Sequence, residues 1–186
     1  LEATRLEDEL DALDGSDGGT VVVGALPVAA AGLLPGALAR FQAAFPHIEV
    51  RVHQERTEAL LAALATRDVD FIIGRLYEPP QPDGFVRKAF YDEGISILAR
   101  ADHPIFAIPT IGLKDISAYP IVLPTVSQRV GREIDEFLRQ LGFIPHQPLR
   151  SSSVSLIRET LHATDSITVM PKVMLVGDLM RGSVRV

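Results

Sequence analysis

From Thr20 to Ile73 short unbroken apolar runs alternate with stretches of helical period, and this alternation restricts the chain to a narrow set of folds. Val21-Val22-Val23-Gly24-Ala25-Leu26 is apolar at every position, the pattern of a strand covered on both faces rather than wetted on one. Leu34, Leu38, Phe41 and Phe45 then recur at spacings of four, three and four, one face of a helix that Pro46 ends. Ile48, Val50 and Val52 alternate as a strand, Thr57 stands where it would cap a helix carrying Leu60, Leu61 and Leu64, and Phe71-Ile72-Ile73 is a further buried strand. Strand, helix, strand, helix, strand predicts a parallel sheet with right-handed crossovers.

Pro79, Pro80 and Pro82 between Tyr77 and Gly84 predict a surface loop, and a second series follows it. Phe85 to Tyr91 and Gly94 to Ala99 read as two extended segments, and Ile121-Val122-Leu123 as a strand. Val130, Ile134, Phe137, Leu138 and Leu141 line one helix face, with Gly142 as its stop. Ser153 would cap a helix bearing Leu156, Ile157 and Leu161, Ile167 to Met170 reads as a strand, and Pro171 suits the first turn of a last helix. The fold class is therefore α/β, in two Rossmann-like lobes joined near residues 92–100. The expected divisions are residues 1–19, 20–96 and 97–186. In the head, Leu6, Leu10 and Leu13 form a narrow stripe on a charged helix ended by Gly15, Gly18 and Gly19. So short a helix is marginal alone, so it is either the tail of a longer helix begun upstream or a solvated, frayed segment.

Composition removes several classes of function. Of 24 acidic and 18 basic residues, seven acids and the single base Arg5 fall in residues 1–19, which leaves 17 of each sign over the remainder. That neutral body carries no electrostatic footprint for nucleic acid, so a DNA-contacting part is expected outside these residues. The absence of cysteine excludes disulfides, thiol nucleophiles and thiolate metal sites. No apolar run approaches the roughly 20 residues of a membrane-spanning helix, and the acidic start is no export signal.

In open parallel sheets ligands settle beyond the carboxyl ends of strands, where amides at helix starts point outward. That rule selects Leu26, Pro27, Val28, Ala29 and Ala30 after the first strand, Gly74-Arg75-Leu76 after the third, Thr125 to Arg129, Ser151 to Ser155, and Thr164 to Ser166. A cleft between the lobes would gather them. Thr125, Ser127, Ser153 and Ser166 offer hydroxyls, unless each only caps its own helix. Arg75 and Arg129 offer planar forks that pair with a carboxylate, or else with Asp70, Glu133 or Asp165 as structural partners. The five histidines include no metal-binding pair at helical spacing, no glycine-lysine loop or nucleophile elbow is present, and Glu133, Asp135 and Glu136 read as a solvated helix face. No enzyme, cofactor or metal site is expected.

The run Val21 to Pro27 leading to Leu33-Leu34-Pro35, then Phe41, Phe45-Pro46 and Ile48-Glu49-Val50, resembles the opening of the effector-binding domain of LysR-type transcriptional regulators. Leu60-Leu61, Asp68 to Gly74, His103-Pro104, Arg132 to Asp135, Phe137 and Gly142 continue the likeness in order and spacing over the whole chain. The resemblance implies a two-lobed domain like the type 2 periplasmic binding proteins, preceded by the end of a linker helix at Leu1 to Leu13. It implies a cytoplasmic homodimer or homotetramer that meets no membrane and contacts DNA only through a winged helix-turn-helix absent from this chain. It also implies a small-molecule effector touching Leu26, Val28 and Ala29, Arg75, and Thr125, Ser127 and Arg129. Many relatives place Ser or Thr in the first loop, whereas this chain has Pro27-Val28-Ala29-Ala30, which leaves backbone amides in place of side-chain hydroxyls. Relatives also cross back to complete the first lobe after the second, so these residues are expected to be part of a longer protein. The opening is similar to regulators of sugar uptake and of aromatic-acid catabolism, and two arginines lean the effector toward a carboxylate. An exported solute-binding protein and an enzyme on the same scaffold are the competing readings; the first would require a signal peptide, the second a positioned acid, base or nucleophile.

Overall fold

A computed structural model of the chain describes residues 18–75, 82–125 and 129–186. The expected linker helix Leu1–Leu13, most of the proline loop and Ser127 lie outside the described residues. The chain divides into two units, Leu1–Val86 and Arg87–Val186.

In the first unit β1 (Gly19–Ala25), β2 (Ile48–Gln54) and β3 (Phe71–Ile73) form a parallel sheet in the order β2-β1-β3. The central strand is β1, and its apolar run is explained by cover on both faces. On one, Val23 and Ala25 pack with Leu34, Leu38 and Ile73. On the other, Gly24 makes room for α2 (Thr57–Ala65): a Cβ there would lie 3.1 Å from Leu60 Cδ2 and 3.2 Å from Ile72 Cγ1. Thr57 does not cap this helix. Arg56 holds the capping position in extended backbone, with no side-chain bond to the first turn.

Helix α1 (Leu34–Ala44) continues helical turns that already begin at Pro27, seven residues before the expected start. Between them, Ala29–Leu33 is π-helical, closed by Leu34 N–H donating to Ala29 O. The physical reason is Pro35, which has no N–H for the Ala31 carbonyl and whose ring crowds it, so the ladder widens by one residue just upstream. The helix ends at Ala44, and Phe45 lies beyond it, half exposed, its ring 5.0 Å from that of Phe41.

In the second unit β4 (Ile95–Arg100), β5 (Ile121–Pro124), β6 (Leu149–Ser151), β7 (Ile167–Pro171) and β8 (Val184–Arg185) form a sheet ordered β6-β5-β7-β4-β8. Strands β5, β6 and β7 are parallel, while β4 runs antiparallel to β7 and β8. Residues 96 and 97, on either side of the expected lobe boundary, both lie in β4. Phe85 to Tyr91, read as an extended segment, joins no strand pairing. Three helices accompany the sheet besides the short α3 (Leu113–Ser117): α4 (Arg129–Gln140), α5 (Val154–Ala163) and α6 (Val176–Arg181). Val122, Leu123, Ile134, Leu161, Ile167, Val169 and Met170 are wholly buried and make the core. Gly142, at φ +70°, ends α4 as expected, with its N–H on Arg139 O at 2.9 Å and that of Phe143 on Leu138 O at 2.9 Å. Leu141 falls outside the helix and is exposed. Pro171 closes β7 and precedes a 3-10 turn, Lys172–Leu175, instead of entering α6.

One buried carboxylate fastens the end of this unit. Asp178 Oδ1 lies 3.0 Å from Arg181 Nη2, 3.3 Å from His162 Nε2 and 3.3 Å from Ser183 Oγ. Burial alone would raise its pKa, but the hydrogen bonds from Arg181 and His162 and the Arg181 and Arg158 charges outweigh it and hold the carboxyl below its usual 3.8. A carboxylate depressed in the folded state adds stability that is present above its unfolded value and lost as pH falls through the folded one. Asp178→Asn should therefore flatten the acid limb below about pH 4 in a chemical-denaturation series, with a wild-type-like limb counting against this account. In the first unit, Gly74 has φ +156° and a Cβ there would lie 2.5 Å from Leu26 Cβ. Gly74→Ala should cost about 1–3 kcal/mol in urea unfolding, because a backbone-proximal atom must move.

Candidate functional site

Parallel register decides which predicted residues meet. In the first unit Ala25 pairs with Ile73, so the residues that follow β1 and β3 emerge side by side at the carboxyl edge. Leu26 N–H extends the ladder onto Ile73 O at 3.0 Å, and the buried Leu26 side chain covers the bare Cα of Gly74. The next residue is the half-buried Arg75. Leu26, Pro27, Val28, Ala29 and Arg75 are thus brought together.

The hydrogen-bonding capacity of that edge is small. Leu26 has spent its amide, Pro27 has none, and the amides of Ala29 and Ala30 both donate to Leu26 O, at 2.9 and 3.0 Å. Among the described residues Val28 N–H meets no acceptor. Pro27 and Val28 are half-buried and Ala29 is buried, so the rest of this surface is hydrocarbon.

In the second unit Pro124 pairs with Ser151, and Thr125 N–H donates to Ser151 O at 3.0 Å, which sets Thr125 beside the approach to α5. Ser153 accepts from Leu156 N–H at 3.2 Å, so its hydroxyl oxygen caps α5, and Ser151 Oγ accepts from Ser153 N–H at 3.0 Å. Each serine keeps an O–H to donate. Arg129 opens α4. Arg150 is a residue that sequence reasoning passed over. Its Nη1 donates to Pro124 O at 3.3 Å and its Nη2 to Asp135 Oδ1 at 2.7 Å, both side chains being partly buried. The guanidinium ties α4 to the carboxyl end of β5 and so helps to position Arg129. Asp135 had read as part of a solvated acidic face; spacing alone does not reveal a partner fifteen residues away.

Ser166 is not brought to this edge. It precedes Ile167, which pairs with Ile121 at the start of β5 and donates to Pro120 O at 2.9 Å. Four residues of strand, about 13 Å, separate that end from Thr125. Ser166 is buried, with its Oγ 2.7 Å from Thr164 Oγ1. The same end holds the Arg100 ion pairs with Asp102 and Asp165; the hydrogen bonds that the guanidinium donates to Asp165 and then to Asp102 raise its pKa, and Arg100 lowers that of Asp102. Among the described residues no three His, Asp or Glu side chains group as a metal site, and no helix is long and apolar enough to cross a membrane.

A family model described as the LysR substrate binding domain matches residues 14–186. Over 168 residues the chain is 30% identical to the HTH-type transcriptional regulator PcaQ of Agrobacterium fabrum, a match covering 89% of this chain and 53% of that protein. Over 185 residues it is 27% identical to the HTH-type transcriptional regulator GalR of Pseudomonas putida, covering 99% of this chain and 46% of that one. The chain spans about half the length of the curated relatives it matches. Among solved structures, the regulatory domain of MexT, a transcriptional activator in Pseudomonas aeruginosa, superposes with a TM-score of 0.67 at 23% identity, over 91% of this chain and 80% of that one. Full-length CbnR in complex with its target DNA gives 0.72 at 16% identity, over 94% and 60%.

Ser153→Ala should lower stability by about 1 kcal/mol through loss of the α5 cap, measured by urea denaturation, and unchanged stability would show that the cap contributes nothing.

Proposed function

The chain belongs to the LysR substrate-binding domain family, and from that premise we propose that it senses a small anionic or hydroxylated metabolite and passes the binding event to a DNA-binding domain outside these residues. The candidate contacts are Leu26 to Ala29 and Arg75 at the carboxyl edge of the first unit's sheet and, taken separately, Thr125, Arg129 and Ser153 at that of the second unit's; Ser127, also expected from the sequence, lies outside the described residues. The observation that carries this reading is the pairing of Ala25 with Ile73, which sets the loop after β1 against Arg75 where open parallel sheets hold their ligands. Ser166 has no part in it, since it sits at the opposite end of its strand.

The curated relatives are transcriptional regulators, which disfavours both an enzyme and a transporter's solute-binding protein. In this reading the working protein is a cytoplasmic homodimer or homotetramer that acts on DNA through a domain outside these residues, and the likeness to the HTH-type transcriptional regulators PcaQ and GalR supports the DNA-binding part of it.

A thermal-shift screen of small carboxylates and sugars should find the effector as a compound that raises the melting temperature. For that compound Arg129→Ala should weaken binding roughly ten- to a hundredfold by calorimetry, the loss of a charge-assisted hydrogen bond, while the unliganded chain stays folded, as a cooperative melting curve would show. Undiminished affinity would remove Arg129 from the site.

A further inference from the structure

We propose that His103 is a proton-operated latch in the second unit. Neutral, its ring caps the 3-10 turn Pro104–Ala107 and ties it to the start of β7; a second proton, on Nδ1, releases the turn. The latch sits at the end of the sheet that holds Arg100 and Asp165, away from Thr125, and does not rest on the effector reading.

The two ring nitrogens carry the inference. His103 is 2% exposed, so neither nitrogen can take water as its partner. Nδ1 stands 3.0 Å from Ile105 N, and Nε2 stands 3.1 Å from Asp165 O. A backbone amide only donates and a carbonyl only accepts, so the ring holds its proton on Nε2 and presents a lone pair at Nδ1. Pro104 has no N–H, which makes the Ile105 amide the first in the turn to need an acceptor, and the imidazole supplies it. A proton on Nδ1 would set two N–H groups against each other at that spacing. Nε2–H would still donate to Asp165 O, so the imidazolium stays tethered to β7 and the break falls on the Ile105 side. Ile105 is itself buried, so loss of its cap also loosens an apolar side chain from the core.

The surrounding charges nearly balance. Asp102 in the turn after β4 and Asp165 before β7 favour an imidazolium, but both are ion-paired with Arg100 of β4, which opposes it. Tyr119, beyond α3, packs edgewise on the imidazole with ring centroids 4.5 Å apart. Phe106 stands 6.5 Å away on the same turn, with the Arg185 guanidinium of β8 over its ring at 4.2 Å. The acceptor that Ile105 requires therefore sets the outcome, and the turn is held at neutral pH and loosened as pH falls.

The experiment is NMR of the full chain from about pH 8 to about pH 5, the range over which imidazoles take up a proton. Ring nitrogen shifts at the upper end should show His103 protonated on Nε2 alone. As that ring titrates, the exchange protection of the Ile105 amide, corrected for intrinsic exchange, should fall at least about tenfold, the loss of one buried hydrogen bond. The Phe143 amide, which donates to Leu138 O, should keep its protection. Two variants divide the latch, since each carboxamide keeps one of its bonds. His103→Asn puts an oxygen near the place of Nδ1, so Ile105 should stay protected and lose its pH response. His103→Gln reaches Asp165 O but leaves Ile105 uncapped, so protection should be low throughout; circular-dichroism melts check both folds. The proposal is overturned if His103 carries its proton on Nδ1 at the upper end, if it titrates while Ile105 stays protected, if it does not titrate in this range, or if the asparagine variant keeps the wild-type pH response. Where a variant does not fold, the wild-type titration decides.

Discussion

Leu26 lying on the bare Cα of Gly74 is the contact on which the first unit's chemistry depends. It requires a glycine after β3, since a Cβ there would sit 2.5 Å from Leu26 Cβ, far inside van der Waals contact. It also fixes where the chain turns from strand to helix. With its amide on Ile73 and its carbonyl receiving both Ala29 and Ala30, Leu26 serves as last rung of the sheet and first acceptor of the helix. What the loop offers to solvent follows from that double duty.

The second unit reaches a similar edge by different means. The Ser153 hydroxyl caps α5, the left-handed backbone of Gly142 closes α4, and Arg150 holds α4 to β5 through Asp135 and Pro124. Its sheet is mixed, and the antiparallel β4 and β8 place the Arg100 and Asp165 pair at the end away from Thr125.

Much of this was legible in the residues. The unbroken run through β1 announced cover on both faces, and Gly142 and Ser153 stand where their conformational and capping preferences put them. What escaped was whatever depended on partners remote in sequence or on competition between local signals. Ser166 was grouped with Thr125 although it precedes its strand and Thr125 follows one; the parallel pairing of Ile167 with Ile121 shows that these two places lie at opposite ends of the sheet. The spacing of Leu34, Leu38, Phe41 and Phe45 showed the body of α1 but not the turns before it, because the π-helical Ala29–Leu33 breaks the period that the later residues keep. Arg150 and Asp135 carried no periodic signature at all.

The widened turn at Ala29–Leu33 has one more consequence. A five-residue hydrogen-bonded ring stores about one residue more than the α-helix around it. Loss of a single alanine from Ala29-Ala30-Ala31 would let the turn relax toward ordinary winding while Leu26 and Leu34 kept their places at its two ends. The triplet is thus a length reserve, a point at which the chain could shed a residue without turning either the strand exit or the body of α1 away from the sheet.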